Sequence, residues 1–249
     1  MAVRDRPGGA LHDLHIPVAD AVADAAHPVQ RGAADKEHHR LAGQVRTQLR
    51  RGAGMLGAHG RLVGEHRLIA RVALWLLGLQ ARATAVLGDE ETVRTANQQA
   101  ADRRERVVPD DLDSLGGLFT YAPEKQLYYA VEAEALLGHG GAGLAQQAEQ
   151  AVQGFSDPTA PNWAFGDLAG SQCDLALVRL YGGDLDGAAA AIRPVLDLPP
   201  SHRNNGIVMS AMRVRQALTS GPAHEAVVAR DLRAETEAFP ASRPPLPHR

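Results

Sequence analysis

The side chains best suited to hold a ligand are aromatic, and most of them fall in one stretch of the chain. Seven of the ten aromatic residues lie between positions 119 and 165. Tyrosine and tryptophan pack through an apolar ring and still offer a polar group to a ligand. We predict a ligand or peptide groove here, and the other reading is a packed junction between two structural units. The predicted groove residues are Tyr121, Tyr128, Tyr129, Asn162, Trp163, Phe165 and Asp167.

Patterns for catalysis, metals or cofactors are weak. The run Gly138–Gly143 matches G-x-G-x-x-G, but a helix is predicted before it, whereas a dinucleotide site needs a strand there. His12 and His15 lie three residues apart, yet the sequence places no third ligand beside them. The acidic cluster at 110–113 lacks the glycine and closing glutamate of a calcium loop. We therefore expect no catalytic residue, no cofactor and no metal, and a protein that is not an enzyme.

The single cysteine and the net charge bear on disulfide formation and on nucleic-acid binding. Cys173 has no partner for a disulfide within the chain, and it lies on the apolar face of a predicted helix, where we expect it to be buried. The net charge is −3, so no bulk attraction to nucleic acid is expected. Arg46 and Arg50 share one face of a predicted helix within a local basic patch, which is a weak signal for phosphate contacts.

Helices must position these residues. The chain has 249 residues, of which 45% are hydrophobic and 4% aromatic, so alanine, leucine and valine have to build the core. No run shows the alternation of a half-buried strand, and no apolar run approaches the roughly 20 residues of a membrane helix. We predict a poorly structured segment at 1–32, a helical repeat domain at 33–239 and a proline-rich tail at 240–249. A cytoplasmic protein that does not enter the membrane is expected.

Periodicity and breaks at glycine and proline divide the repeat domain into helices. Apolar residues recur at helical spacing, and glycine-containing turns at 88, 138, 183 and 221 separate the helices into pairs. The predicted helices span 61–87, 90–107, 123–137, 143–155, 162–181, 184–197, 205–219 and 223–239, after an earlier helical run from residue 33. Turns that recur at roughly 40–50 residues indicate an array of about four helix pairs.

The pair at 166–197 matches the tetratricopeptide pattern, a helix–turn–helix unit of about 34 residues. Ala176 and Ala188 are small enough to let the two helices approach closely. Gly183 suits a turn that a side chain would oppose, and Asp184 suits the cap of the second helix. Pro200 cannot continue a helix and therefore ends the unit. The sequence predicts an all-α, tetratricopeptide-like solenoid.

The chain also resembles the C-terminal tetratricopeptide-like region of actinobacterial helix-turn-helix regulators of the XRE type. The resemblance covers roughly 60–220, and Tyr128-Tyr129-Ala130 and the segment 197–200 carry it most distinctively. It implies a non-catalytic sensing or protein-interaction domain, the effector part of a transcriptional regulator. The implied partners are a protein or peptide, a small-molecule effector and a second copy in a homodimer. DNA would be a partner only if a reader domain is supplied.

Two alternatives stay open at this point. Residues 1–60 contain no convincing two-helix DNA-reading unit of the kind that precedes the repeats in that family, but a divergent reader there would make the chain a DNA-binding regulator. An enzyme built on a helical scaffold is the other alternative. No acid, base and nucleophile fall at usable spacing to support it.

Overall fold

A computed structural model describes residues 58–107, 120–160, 163–220 and 224–240, with side chains described from Ala70 onward. These residues form α-helices and one short 3-10 helix, and the described ranges contain no strand. The all-α prediction is therefore confirmed. The helices are α1 Ala58–Val86, α2 Glu90–Arg104, α3 Pro123–Leu136, α4 Ala142–Gly154, α5 Phe165–Tyr181, α6 Leu185–Leu196, α7 Asn205–Ser220 and α8 Val227–Ala238, with the 3-10 helix at Pro200–His202.

Local signals explain where the helices begin and end. The Asp89 side chain accepts a hydrogen bond from the Thr92 N–H at 3.0 Å and caps α2. Asp184 accepts from the Gly187 N–H at 2.8 Å and caps α6, as the sequence predicts. Gly183 has a φ of +83°, in the region that a side chain disfavours. The turn between α5 and α6 is therefore encoded by the residues that form it.

The helices pack in two rows. We call α1, α3, α5 and α7 the first row, in which each helix contacts the next. We call α2, α4, α6 and α8 the second row, in which each helix contacts the first-row helix that precedes it in the chain. The first row therefore brings together side chains that are far apart in sequence.

Small side chains build the main core. Ala176 of α5 and Ala188 of α6 are buried, as is Cys173. Ile192 and Val178 fill the space that the alanines leave between the same two helices. Close packing of small residues requires close helix contacts, as the composition predicts.

Several sequence predictions fall on residues outside the described ranges. They are the segment at 1–32, the helical run from residue 33, the tail beyond Pro240, the histidine pair, the Arg46 and Arg50 face and the acidic cluster at 110–113. Among the described helices, none combines the length and apolar composition that crossing a lipid bilayer would require.

Candidate functional site

The candidate site is centred on Glu132 of α3, which is almost completely buried among helices of the first row. Arg82 of α1 holds both carboxylate oxygens: its Nε lies 2.7 Å from Oε2, and its Nη2 donates to Oε1 at 3.1 Å. Arg213 of α7 donates through Nη2 to the same Oε1 at 2.9 Å. One carboxylate therefore joins side chains from three helices.

Arg213 of α7 contacts a helix that is not adjacent to α7 in the first row. The α5 helix packs between α3 and α7, yet Arg213 contacts Glu132 of α3. Ser210, one turn earlier on α7, accepts a second hydrogen bond from Arg213 Nη2 at 2.9 Å and fixes its direction. The ion pairs connect α1, α3 and α7 across the face of α5.

The negative charge of Glu132 stabilises the protonated form of both arginines. Burial by itself lowers the pKa of Arg82, but the Glu132 carboxylate and the other neighbouring groups together outweigh it, and the pKa ends above its ordinary value. The pKa of Arg213 is raised in the same way, with Asp174 as a second contributor after Glu132. Both guanidinium groups therefore stay charged at any pH at which the protein is folded.

Asp174 of α5 is the second buried acid in this region. Its Oδ2 is inaccessible to solvent and accepts no hydrogen bond from a described group. Burial, reinforced by the charge of Glu132, raises the pKa of Asp174 well above its ordinary value. Burial therefore opposes the ionised form of Asp174, whereas Glu132 is the acid that contacts both arginines directly.

Three tyrosines, one just before α3 and two within it, lie next to these charged residues. The rings of Tyr121 and Tyr129 lie 6.0 Å apart between centroids, and those of Tyr128 and Tyr129 lie 5.4 Å apart, both edge to face. Gly78 of α1 makes room for them, because a Cβ there would lie 2.5 Å from the Tyr121 hydroxyl oxygen. Burial raises the pKa values of Tyr121 and Tyr128 above the ordinary range, so both keep their protons.

Tyr129 lies between two cations. The Arg82 guanidinium carbon is 4.4 Å from the ring centroid, and the Lys125 Nζ is 5.2 Å from it. Lys125 also forms an ion pair with Asp167 of α5. This arrangement joins the aromatic cluster to the ion pairs of Glu132 and presents cations and a ring face at the same place.

The predicted groove residues separate into two groups in the structure. Tyr121, Tyr128 and Tyr129 form one cluster, and Asp167 reaches it through Lys125. Phe165 instead contacts His202, with ring centroids 5.3 Å apart. Trp163 is half-buried, and Asn162 lies outside the described residues. A ligand groove formed by these residues remains a prediction.

Sequence reasoning missed the charged residues at the centre of the site. Glu132 stands between Val131 and Ala133, and Asp174 stands between Cys173 and Leu175, all of them buried. A charged residue inside the apolar stripe of a helix is the signal that could have found both acids. The arginines carried no such signal, since long basic side chains also occur on solvated faces.

No protein-family model, no curated protein and no solved structure matches the chain. The site therefore has to be interpreted from its own chemistry. In the described ranges no group of three or more histidine, cysteine or acidic side chains could hold a metal ion. What the site offers is guanidinium and ammonium donors beside an aromatic face.

Proposed function

We propose that this protein is a non-catalytic sensing or protein-interaction domain whose ligand binds to the first row of helices. The observation that carries the proposal is the set of ion pairs from Arg82 and Arg213 to Glu132. These contacts connect three helix pairs through groups at the edge of the solvent-facing surface. A ligand that engages either arginine would act on the relative placement of those pairs, which is how binding can select between conformations.

We also propose that the helix pairs stack as a tetratricopeptide-like solenoid. The consecutive packing of α1, α3, α5 and α7 supports this arrangement. The buried Ala176 and Ala188, the positive φ of Gly183 and the Asp184 cap support it within the third pair. In solenoids of this kind, one row lines an extended surface that partners use.

The regulatory output follows from the resemblance to XRE-type regulators. We propose that ligand binding alters dimerisation or the activity of a partner chain that binds DNA. A gel-shift experiment with the DNA upstream of the gene tests the alternative of direct DNA binding. Salt-sensitive binding by the protein alone would favour a reader within this chain, whereas no binding agrees with an output through a partner.

Thermal unfolding in the presence of peptide and small-molecule collections tests the binding proposal. A ligand present at 100 times its Kd stabilises the folded state by about 2.7 kcal/mol, which raises Tm measurably. Tyr129→Ala should abolish the shift, and the matched control Val86→Ala, at an exposed position of α1, should leave it intact. Absence of any shift, together with a pull-down that recovers no partner, would contradict the proposal. Turnover in a broad substrate screen would contradict its non-catalytic part.

A further inference from the structure

We infer that the surface formed by Arg82, Lys125 and Arg213 around Tyr129, here called the cationic patch, binds an extended peptide segment that carries acidic side chains. The inference rests on the proposed function and specifies the chemistry of its ligand. It depends on three observations: which charges reach solvent, how the cations are spaced and how they are held.

The positive side chains of this region are partly exposed to solvent, and most of the negative ones are buried. The side chains of Arg82 and Arg213 are each 30% exposed, and that of Lys125 is 26% exposed. Their partner Glu132 is only 1% exposed. Asp174 is buried as well. The exception is Asp167, whose side chain is 20% exposed beside Lys125. A ligand that approaches the patch therefore meets the exposed parts of three cations and of one anion, while the buried Glu132 stays paired with the two arginines.

The spacing of the two arginines suits a carboxylate. Both Nη2 atoms lie about 3 Å from the same Glu132 oxygen, which places them no more than about 6 Å from each other. The two guanidinium groups therefore lie close together, and a ligand carboxylate beside them is attracted by both charges. Arg213 Nη2 already donates to Glu132 and Ser210, so a ligand carboxylate would accept from the other end nitrogen of this guanidinium group.

Lys125 supplies a second anchor at a distance that suits an extended chain. Arg82 and Lys125 lie 4.4 and 5.2 Å from the Tyr129 ring centroid, so they are less than about 10 Å apart. Side chains at positions i and i+2 of an extended peptide lie on one side of it, roughly 7 Å apart. Acidic residues at alternate positions can therefore meet Arg82 and Lys125 together.

The cations are also held in place before any ligand arrives. Glu132 and the Tyr129 ring fix Arg82, while Ser210 and Glu132 fix Arg213. A long side chain that is already ordered loses less conformational entropy when a ligand binds. The exposed Arg94, by contrast, pairs with Glu91 of its own helix.

Fluorescence anisotropy with two labelled octapeptides tests the inference. One peptide alternates glutamate and serine, and the other alternates glutamine and serine. We expect the glutamate peptide to bind at least tenfold more tightly and to weaken as salt rises. Equal binding of the two peptides would overturn the inference. Tighter binding of a single-stranded oligothymidylate of equal charge would also overturn it, in favour of a nucleic-acid ligand.

Matched variants locate the site. Arg213→Gln should weaken the glutamate peptide about tenfold, and Lys125→Gln several-fold. Arg193→Gln makes the same charge change on α6, where it pairs with Glu235 of α8, and should leave binding unchanged. Lys125 takes no part in the buried ion pairs, so its variant stays informative if Arg213→Gln fails to fold. Equal weakening by Arg193→Gln and Lys125→Gln would overturn the inference, because it would indicate general charge attraction.

The two proposals fail in different ways. If another ligand gives a melting shift that depends on Tyr129 while the glutamate peptide does not bind, the acidic-peptide inference fails and the proposed function stands. If no ligand or partner of any chemistry binds, both fail.

Discussion

The α5–α6 pair and the region around Glu132 both bury their side chains, but with different chemistry. Between α5 and α6 the buried groups are alanine, valine, isoleucine and cysteine, whose packing is non-directional. Around Glu132 the buried groups include two acids, of which Glu132 is held by arginines from other helices. An apolar contact tolerates a small displacement of a helix, whereas an ion pair loses its geometry. The α5–α6 pair therefore packs through apolar burial, while the ion pairs of Glu132 link helices of different pairs.

The largest expected effect comes from removing the shared acid. Glu132→Ala leaves the charges of Arg82 and Arg213 without a partner, and we expect a loss of about 3 kcal/mol in the free energy of unfolding. Urea unfolding measures it. Glu149→Ala breaks the ion pair with Arg179, whose acid is 53% exposed, and should cost less than about 1 kcal/mol. Equal losses in the two variants would show that the region around Glu132 is no more than a surface ion pair.

A smaller effect is expected where α3 meets α5. A Cβ at Gly170 would lie 2.9 Å from Cζ of Tyr128 and closer still to its hydroxyl oxygen, so Gly170→Ala should cost about 1–3 kcal/mol. Gly143→Ala is the matched control, because nothing lies within 4 Å of a Cβ there, and it should be neutral or stabilising. Thermal unfolding measures both. Tyr128→Phe should restore part of the loss in the Gly170 variant, and absence of rescue would contradict the contact.

The pH dependence of the free energy of unfolding reports on Asp174, the second buried acid. The ordinary pKa of an aspartate in an unfolded chain is about 3.9, and burial raises that of Asp174 in the fold. The folded state then holds its proton to higher pH, so stability falls as the pH rises above about 4. Asp174→Asn should match the parent near pH 4 and be more stable than the parent at pH 7, because asparagine has no proton to lose as the pH rises.

Thermal unfolding as a function of pH checks this expectation. The exposed Asp231 supplies the control, since Asp231→Asn should run parallel to the parent across the pH range. A destabilised Asp174→Asn variant at pH 7 would mean that the ionised carboxylate is required for the arrangement of the helices.

The smallest expected effect on stability concerns the turn between α5 and α6. Asp184→Ala removes the hydrogen bond to the Gly187 N–H and should cost about 1 kcal/mol. Asp186→Ala removes a neighbouring charge without a cap contact and should cost less. Circular dichroism with thermal unfolding compares the two variants. If both cost the same, the acidic charge near the helix terminus, and not the cap, stabilises α6.

Much of the fold could be predicted because its signals are local. The helical period, Pro123 at the start of α3 and the caps of α2 and α6 each act within one turn of the chain, and the structure has these helices. Tyr121, Tyr128 and Tyr129 were included in the predicted groove because they are close in sequence, and in the structure their rings contact one another. Phe165 was grouped with it by proximity in sequence, but Phe165 contacts His202.

The sequence by itself determined the helices, their turns and the small-residue core between α5 and α6, because backbone propensity, capping and apolar periodicity are properties of adjacent residues. Only the tertiary structure decided that Arg82, Glu132 and Arg213 meet. Their contacts join positions 50 and 81 residues apart, and no local rule selects which charged side chain turns toward another helix. Helix packing selects it, because a buried carboxylate has to find its partners among whatever cations the first row brings within reach.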